Sequence, residues 1–304
     1  MLLRAVMLFA VHLVTNGASG GAEDTLLNSY PMIMSHDSAS GEIVEERDHV
    51  VVDWTRTQSV GLVGQLNCGA RSFDYRPYLQ GQTVFAHHGP VVVHKQMSES
   101  LAEVVDWLAA APDELVVMYM TDCAGDEGCT EAAQALLDAA HISTLSDCAD
   151  LRDLTFAGAR LRGRLGSGGS LLAVLECVTS NYVPEVNCYG ANFVCYDSWP
   201  AGTSDVPWDS LKSYAAAVTG ADPTTASPNL WMTQLHWQST ALSVSLGALH
   251  NSSLLRDEAL AGVNAWVEQA LLSGDFKYLN FVELDNVCDN GLAVRAALQR
   301  RLGA

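Results

Sequence analysis

Three short apolar runs in the first ninety residues each stop at polar, mostly charged side chains: Ile33-Met34-Ser35-His36-Asp37, Arg71-Ser72-Phe73-Asp74-Tyr75-Arg76 and Val84-Phe85-Ala86-His87-His88. A fourth, Asn280-Phe281-Val282-Glu283-Leu284, stops at Asp285. Imidazole has an unperturbed pKa of about 6.5, so near neutrality one ring can accept a proton while another donates one. A carboxylate beside the charged ring holds it as the acid, a role open to Asp37 or Asp285. Arg76 offers paired donors to an anionic oxygen. These are the parts that displacement at a phosphodiester requires. A proton leaves the attacking oxygen, another reaches the leaving oxygen, and the charge at phosphorus is matched. Neighbouring strand residues face opposite ways, so His88 is expected in the pocket and His87 as a bystander.

Such side chains need a scaffold that brings strand ends together. Apolar runs at Tyr30 to Met34, Ala70 to Arg76, Thr83 to Ala86, Leu115 to Met120, Leu171 to Cys177, Asn192 to Tyr196, Leu230 to His236 and Tyr278 to Leu284 read as eight strands. Helical spacing appears over Thr57 to Asn67, in Leu101, Val104, Val105 and Leu108 ahead of Pro112, and over Glu131 to Ala140, Asp209 to Val218, Leu254 to Leu272 and Gly291 to Leu302. Strands alternating with helices in this number predict an α/β protein, a single irregular TIM-type (β/α)8 barrel, with reactive groups where strands finish. The irregularity falls between the second and third strands, whose connection is too short for a helix. An open doubly wound sheet is the alternative, but it expects a glycine-rich turn after the first strand, where Ser35-His36-Asp37 stands instead.

Bulk properties narrow the function. A length of 304 residues with 49% hydrophobic content suits one large core, and a formal charge of -19 with only 16 Lys and Arg disfavours nucleic acid as a partner and lasting adhesion to an anionic membrane. Residues 1–22 read as a signal peptide, with Arg4 ahead of an apolar run and small residues from Gly17 to Ala22, leaving 23–304 as one secreted domain. Eight cysteines follow. In an oxidising compartment they are expected to pair, with Cys123–Cys129 and Cys188–Cys195 as the local loops; zinc is disfavoured by the absence of any Cys-x-x-Cys or His-x-x-x-His spacing.

The Ser35-His36-Asp37 run, the block Cys68 to Arg76, His87-His88-Gly89-Pro90, the segment Leu101 to Met120 with Pro112 and Glu114, and the terminal Asn280 to Asp285 resemble the X region of phosphatidylinositol-specific phospholipase C, in its bacterial form. The resemblance implies His36 as general base, His88 as general acid and Arg76 as the group that neutralises the phosphate. It implies that Asp37 supports His88 and Asp285 supports His36, and it matches Asp74 to the acidic residue two before the arginine. Animal members use calcium where the bacterial ones use this arginine, so no metal or other cofactor is implied. The substrate implied is a phospholipid or glycolipid headgroup, met in transient contact with a membrane surface and without a stable protein partner.

The departures concern the headgroup. Thr121 stands where the bacterial enzymes place a lysine that holds inositol, Glu176 stands near the place of an arginine, and Gln234-Leu235-His236-Trp237 offers Leu235 and Trp237 where an Asp and a Tyr are expected. Glu176, Gln234 and Trp237 are therefore the candidate substrate-binding residues, with Trp237, Trp231 and Trp199 able to stack on a sugar ring or to serve as core. A catalytically inactive binding protein on the same barrel is the competing function, since a fold alone confers no activity.

Overall fold

The structure, a computed structural model, describes residues 20–43, 49–180, 194–196 and 208–303. Its strands in chain order are β1 Met32–Ser35, β2 Ser72–Tyr75, β3 Pro77–Gln80, β4 Thr83–His88, β5 Val91–Val93, β6 Leu115–Met120, β7 Ala124–Gly125, β8 Ser143–Leu145, β9 Ser170–Leu175, β10 Val178–Ser180, β11 Val194–Tyr196, β12 Leu230–Gln234, β13 Trp237–Ser239 and β14 Phe281–Leu284. Eight of them form one sheet in the order β10-β12-β14-β1-β2-β6-β9-β8, parallel throughout. Only Glu176 and Cys177 separate β9 from β10, yet the two sit near opposite ends of this order. The sheet therefore curls round on itself in the manner of a β/α barrel, with helices on its outside.

Alternation along the strands divides the apolar residues into two clusters. Met32, Met34, Leu115, Val117, Tyr119, Leu172, Val174, Leu230, Met232 and Phe281 belong to one. Their strand neighbours Ile33, Phe73, Val116, Met118, Leu171, Ala173, Val282 and Leu284 belong to the other, packed with the helices. A sheet buried on both faces reads as nearly continuous hydrophobic strands, and each fully buried Leu, Val or Phe adds about 1.5–3 kcal/mol. Following the first cluster by steps of two toward the strand ends leads to polar side chains: from Met32 and Met34 to His36, from Leu230 and Met232 to Gln234, and from Phe281 to Glu283 and Asp285.

The helix Met97–Ala110 shows how the outer layer is set. Met97, Leu101, Val104 and Leu108 fall on one buried face, a reciprocal Gln96–Glu99 capping box starts it, and it stops at Ala111 before Pro112. Where β2 and β6 begin, Glu114 accepts from Arg71 Nη2 and Nε at 2.7 and 2.8 Å and from Arg295 Nη2 at 2.7 Å, with the Arg71 guanidinium 4.9 Å from the centre of the Trp107 ring. This clamp ties two barrel strands to the last helix, Gly291–Leu302.

Several sequence expectations are corrected. The third expected strand is not in the barrel: β4 pairs antiparallel with β3 and β5 in a side sheet, because Gly81-Gln82 makes a two-residue hairpin turn that cannot return the chain in parallel. Within the expected sixth strand, β11 pairs with β13 outside the main sheet. The short β8 and β10 complete the eight-stranded sheet instead. The helix expected over Leu254 to Leu272 is broken by Gly262, at φ 70°, into Leu254–Ala261 and Val263–Ser273. Disulfides join Cys123 to Cys129, as expected, and also Cys68 to Cys288 and Cys148 to Cys177. The expected Cys188–Cys195 pair lies outside the described side chains. Among the described residues no helix is long and apolar enough to cross a membrane.

Candidate active site

At the exits of the central strands three cationic or titratable groups converge on one carboxylate. Asp37 Oδ2 lies 3.2 Å from His36 Nε2 and 3.1 Å from His88 Nε2, while Asp37 Oδ1 lies 2.9 Å from Arg76 Nε. The two imidazole centres are 6.3 Å apart. His36 and Asp37 are adjacent, and a continuing strand would send them to opposite faces. The chain avoids this because β1 has ended at Ser35 and Asp37 takes a left-handed φ of 41°, held by its own N–H donating to Asp74 Oδ2 at 3.1 Å.

Each participant is positioned from behind. His36 Nδ1 lies 2.7 Å from Asp285 Oδ1 at the end of β14, and the Asp285 carbonyl accepts from Asn264 Nδ2 at 3.0 Å. Thr57 Oγ1 donates to the His36 carbonyl at 2.8 Å, and Gln58 Nε2 donates to the carbonyls of His36 and Leu284 at 3.1 and 2.9 Å, locking β1 to β14. Arg76 Nη2 donates to Asp74 Oδ2 at 2.7 Å. His88 arrives from the side sheet, its Nδ1 2.6 Å from the Thr55 carbonyl, which directs Nε2 toward Asp37. His87 faces elsewhere, its ring nitrogens 2.9 and 2.7 Å from the carbonyls of Gly89 and Asp122.

The electrostatics follow from crowding charges in a buried place. Burial opposes protonation of His36, but Asp37, Asp285 and Glu283 outweigh it and raise the imidazole pKa to about 10. Burial likewise opposes ionisation of Asp37, yet Arg76, His88 and His36 hold its carboxyl well below the usual range. Asp74 moves upward, through burial first and then Asp37 and Glu283, despite Arg76 beside it. Burial works against the Arg76 guanidinium, while Asp37 and Asp74 strengthen its hold on the proton.

A second tier escaped sequence reasoning. The His236 ring stacks on His36 at 4.0 Å, and its Nε2 lies 3.2 Å from Glu283 Oε2. Burial opposes ionisation of Glu283, but His236 and His36 lower its pKa. Glu258 accepts from the Trp237 N–H at 3.0 Å; burial and Asp285 push its pKa well up, favouring the neutral acid. The available signal was Glu283 itself, a charge in the middle of an apolar strand and in step with Asp285. Nothing local marked Glu258, which reaches the site from a helix.

The three candidate substrate residues separate. Gln234 lines a cavity of ≈ 180 Å³ together with Asp74, Arg76, Thr121, Asp122 and Glu283. Glu176 lines an adjoining cavity of ≈ 460 Å³ that shares Thr121 and Asp122 with the first. Trp237 is 3% exposed with its ring packed edge-on against Trp208, so it presents no face to a sugar. Pairing of β13 with β11 carries it into the core. Trp231 is buried too, its Nε1 donating to the Asn28 carbonyl, and Trp199 lies outside the described residues. Among the described residues two groups have ligand atoms close enough to share a cation, His36 with His236 and Asp285, and His36 with Asp37 and Asp74. Both contain His36, charged at neutral pH, and the second is already bound by the Arg76 guanidinium, which disfavours a further positive charge.

A curled parallel sheet with imidazoles and a guanidinium gathered at its strand exits defines an α/β barrel whose candidate site lies at the C-terminal mouth. The fold is similar to that of bacterial phosphatidylinositol-specific phospholipases C: a mutant of the Staphylococcus aureus enzyme superposes with a TM-score of 0.56 at 15% identity, covering 87% of this chain and 92% of that one. The Listeria monocytogenes enzyme gives 0.56 at 15% identity, covering 91% and 94%. In sequence, 1-phosphatidylinositol phosphodiesterases of S. aureus strains Newman and NCTC 8325 / PS 47 are each 33% identical over 87 residues, 28% of this chain. The matched stretch spans about a quarter of each relative, 27% and 26%. No protein-family model matches the chain.

Proposed function

We propose that this chain is a secreted, metal-independent phosphodiesterase that cleaves a phospholipid or glycolipid headgroup during transient contact with a membrane surface. Arg76 binds the phosphoryl oxygens, His36 takes the proton of the attacking hydroxyl or water, and His88 protonates the departing oxygen. The sharing of Asp37 by both imidazoles and the guanidinium is the observation that carries this reading. One carboxylate in contact with all three fixes their spacing and lets a proton reside on either ring. With its basicity raised, His36 is a strong acceptor once neutral, and the working form places the proton on His88. Asp285 and Asp37 orient the rings, and Asp74 orients Arg76. The leader read over residues 1–22 and three disulfides support export.

The test is 31P NMR of phosphatidylinositol vesicles in excess chelator. Wild type is expected to convert the lipid phosphodiester to a water-soluble phosphate ester, and Arg76→Ala to slow conversion by 10²-fold or more. An intact lipid signal with wild type would overturn the reading for that lipid and extend the panel to choline, ethanolamine and glycolipid headgroups. A second reading, a binding protein without turnover, is favoured by Thr121 and Glu176 at the headgroup cavities; it requires every one of those lipids to bind and remain uncleaved.

A further inference from the structure

The surroundings of Arg76 are unusual for a place that receives an anion. Among the described residues no lysine, and no arginine besides Arg76, lines either of the two adjoining cavities. Besides Arg76 and hydroxyls such as Thr121 and Ser146, their polar walls are carboxylates: Glu283, Asp122 and Asp74 in the smaller, Asp122 and Glu176 in the larger. Gln234 is 7% exposed, and its Oε1 is a buried acceptor with no hydrogen-bond partner among the described residues. A buried polar atom left unpaired is costly, so an unmatched acceptor at a cavity wall marks where a ligand donor belongs. Glu283, 1% exposed and inclined to ionise by its His236 contact, adds a full charge beside it. A phosphate held by Arg76 would therefore place its substituent among carboxylates and an unpaired carbonyl.

We propose that these cavities form a headgroup subsite for a phosphoester bearing a primary ammonium. The ammonium supplies three donors and a charge opposite to that of the walls. A hydroxyl offers one donor and no charge. The proposal rests on the reading of Arg76 as the phosphate-binding group.

Isothermal titration calorimetry of the full chain at pH 7 tests it with two phosphates that differ only at the far end: O-phosphoethanolamine and 2-hydroxyethyl phosphate. Phosphoethanolamine is expected to bind about tenfold more tightly than the hydroxyl compound. Glu283→Gln and Asp122→Asn are each expected to narrow that ratio; Asp122 is exposed, so its variant folds even where the buried substitution does not. Equal affinity for ammonium and hydroxyl, or a ratio unmoved by both substitutions, would overturn the proposal while leaving Arg76 as a phosphate site. Failure of both compounds to bind would remove that site and the proposal with it.

Discussion

Asp37 and His88 come from different sheets, one just past a barrel strand and the other from the antiparallel hairpin layer, yet Asp37 Oδ2 sits 3.1 Å from His88 Nε2. The same oxygen is 3.2 Å from His36 Nε2, so one carboxylate bridges the two imidazoles of the proposed proton-transfer pair. Asp37→Asn keeps the shape and removes the charge. It is expected to lower kcat by about 10²–10⁴-fold while circular dichroism shows a folded protein. Unchanged kcat in the folded variant would mean that the shared carboxylate does not matter to catalysis.

Titration of His36 should report its carboxylate neighbours. Its folded pKa of about 10 lies above the unfolded value of 6.5, so its contribution to stability is complete below pH 6.5 and is lost as pH rises through 10. Asp285→Asn removes an anion from the imidazole and lowers that pKa, which brings the loss to lower pH. Imidazole NMR with denaturant unfolding between pH 6 and 10.5 checks both. The alkaline fall of kcat/KM, where the proton shared by the two rings is lost, should move the same way, and an unmoved titration in Asp285→Asn would show that Asp285 does not set the basicity of His36.

At the other end of the barrel, Glu114 is held by two arginines. Burial opposes its charge, but Arg71 and Arg295 lower its pKa to about 2, so its contribution is present above pH 4.5 and disappears as pH falls through 2. Glu114→Gln is expected to cost about 1–3 kcal/mol at pH 7 and to flatten the acid limb of the stability curve. Urea unfolding at pH 3, 5 and 7 measures this, and a loss that is the same at all three would discard the ionic explanation.

The Cys68–Cys288 bridge closes a loop with a sequence separation of 220. Its removal by a double serine substitution is expected to cost about 2–5 kcal/mol, chiefly by freeing the unfolded chain. Calorimetric unfolding should show a lower Tm with the cavity beside Arg76 still able to bind phosphate. An unchanged Tm would show that the bridge does not limit the unfolded ensemble.

The site was legible where polar residues ended apolar runs: His36, Asp74, Arg76, His88 and Asp285 all do so, and the structure gathers them at one mouth. His236, Glu258 and Glu283 were not recognised, because a buried polar residue inside a strand or helix has no local mark until its partner is known. Trp237 was ambiguous for the opposite reason, since an aromatic near a strand end serves a ligand or a core equally well, and pairing of β13 with β11 decides for the core. The barrel itself came from alternation of strands and helices. The role of β8 did not, as Ser143-Thr144-Leu145 is too short and polar to stand out before its pairing with β9. Cys123–Cys129 was readable from its short loop, whereas no spacing rule could have joined Cys68 to Cys288.

The proposed division of labour between the two histidines is tested most directly by their response to the leaving group. His36→Ala and His88→Ala are assayed on vesicles of the lipid that wild type cleaves and on the p-nitrophenyl ester of the same phosphorylated headgroup, whose departing phenolate needs no proton. His88→Ala is expected to lose about 10³-fold on the lipid and far less on the aryl ester, while His36→Ala loses heavily on both. Full lipid cleavage by either folded variant, or equal losses by His88→Ala on the two substrates, would contradict acid catalysis by His88 and base catalysis by His36.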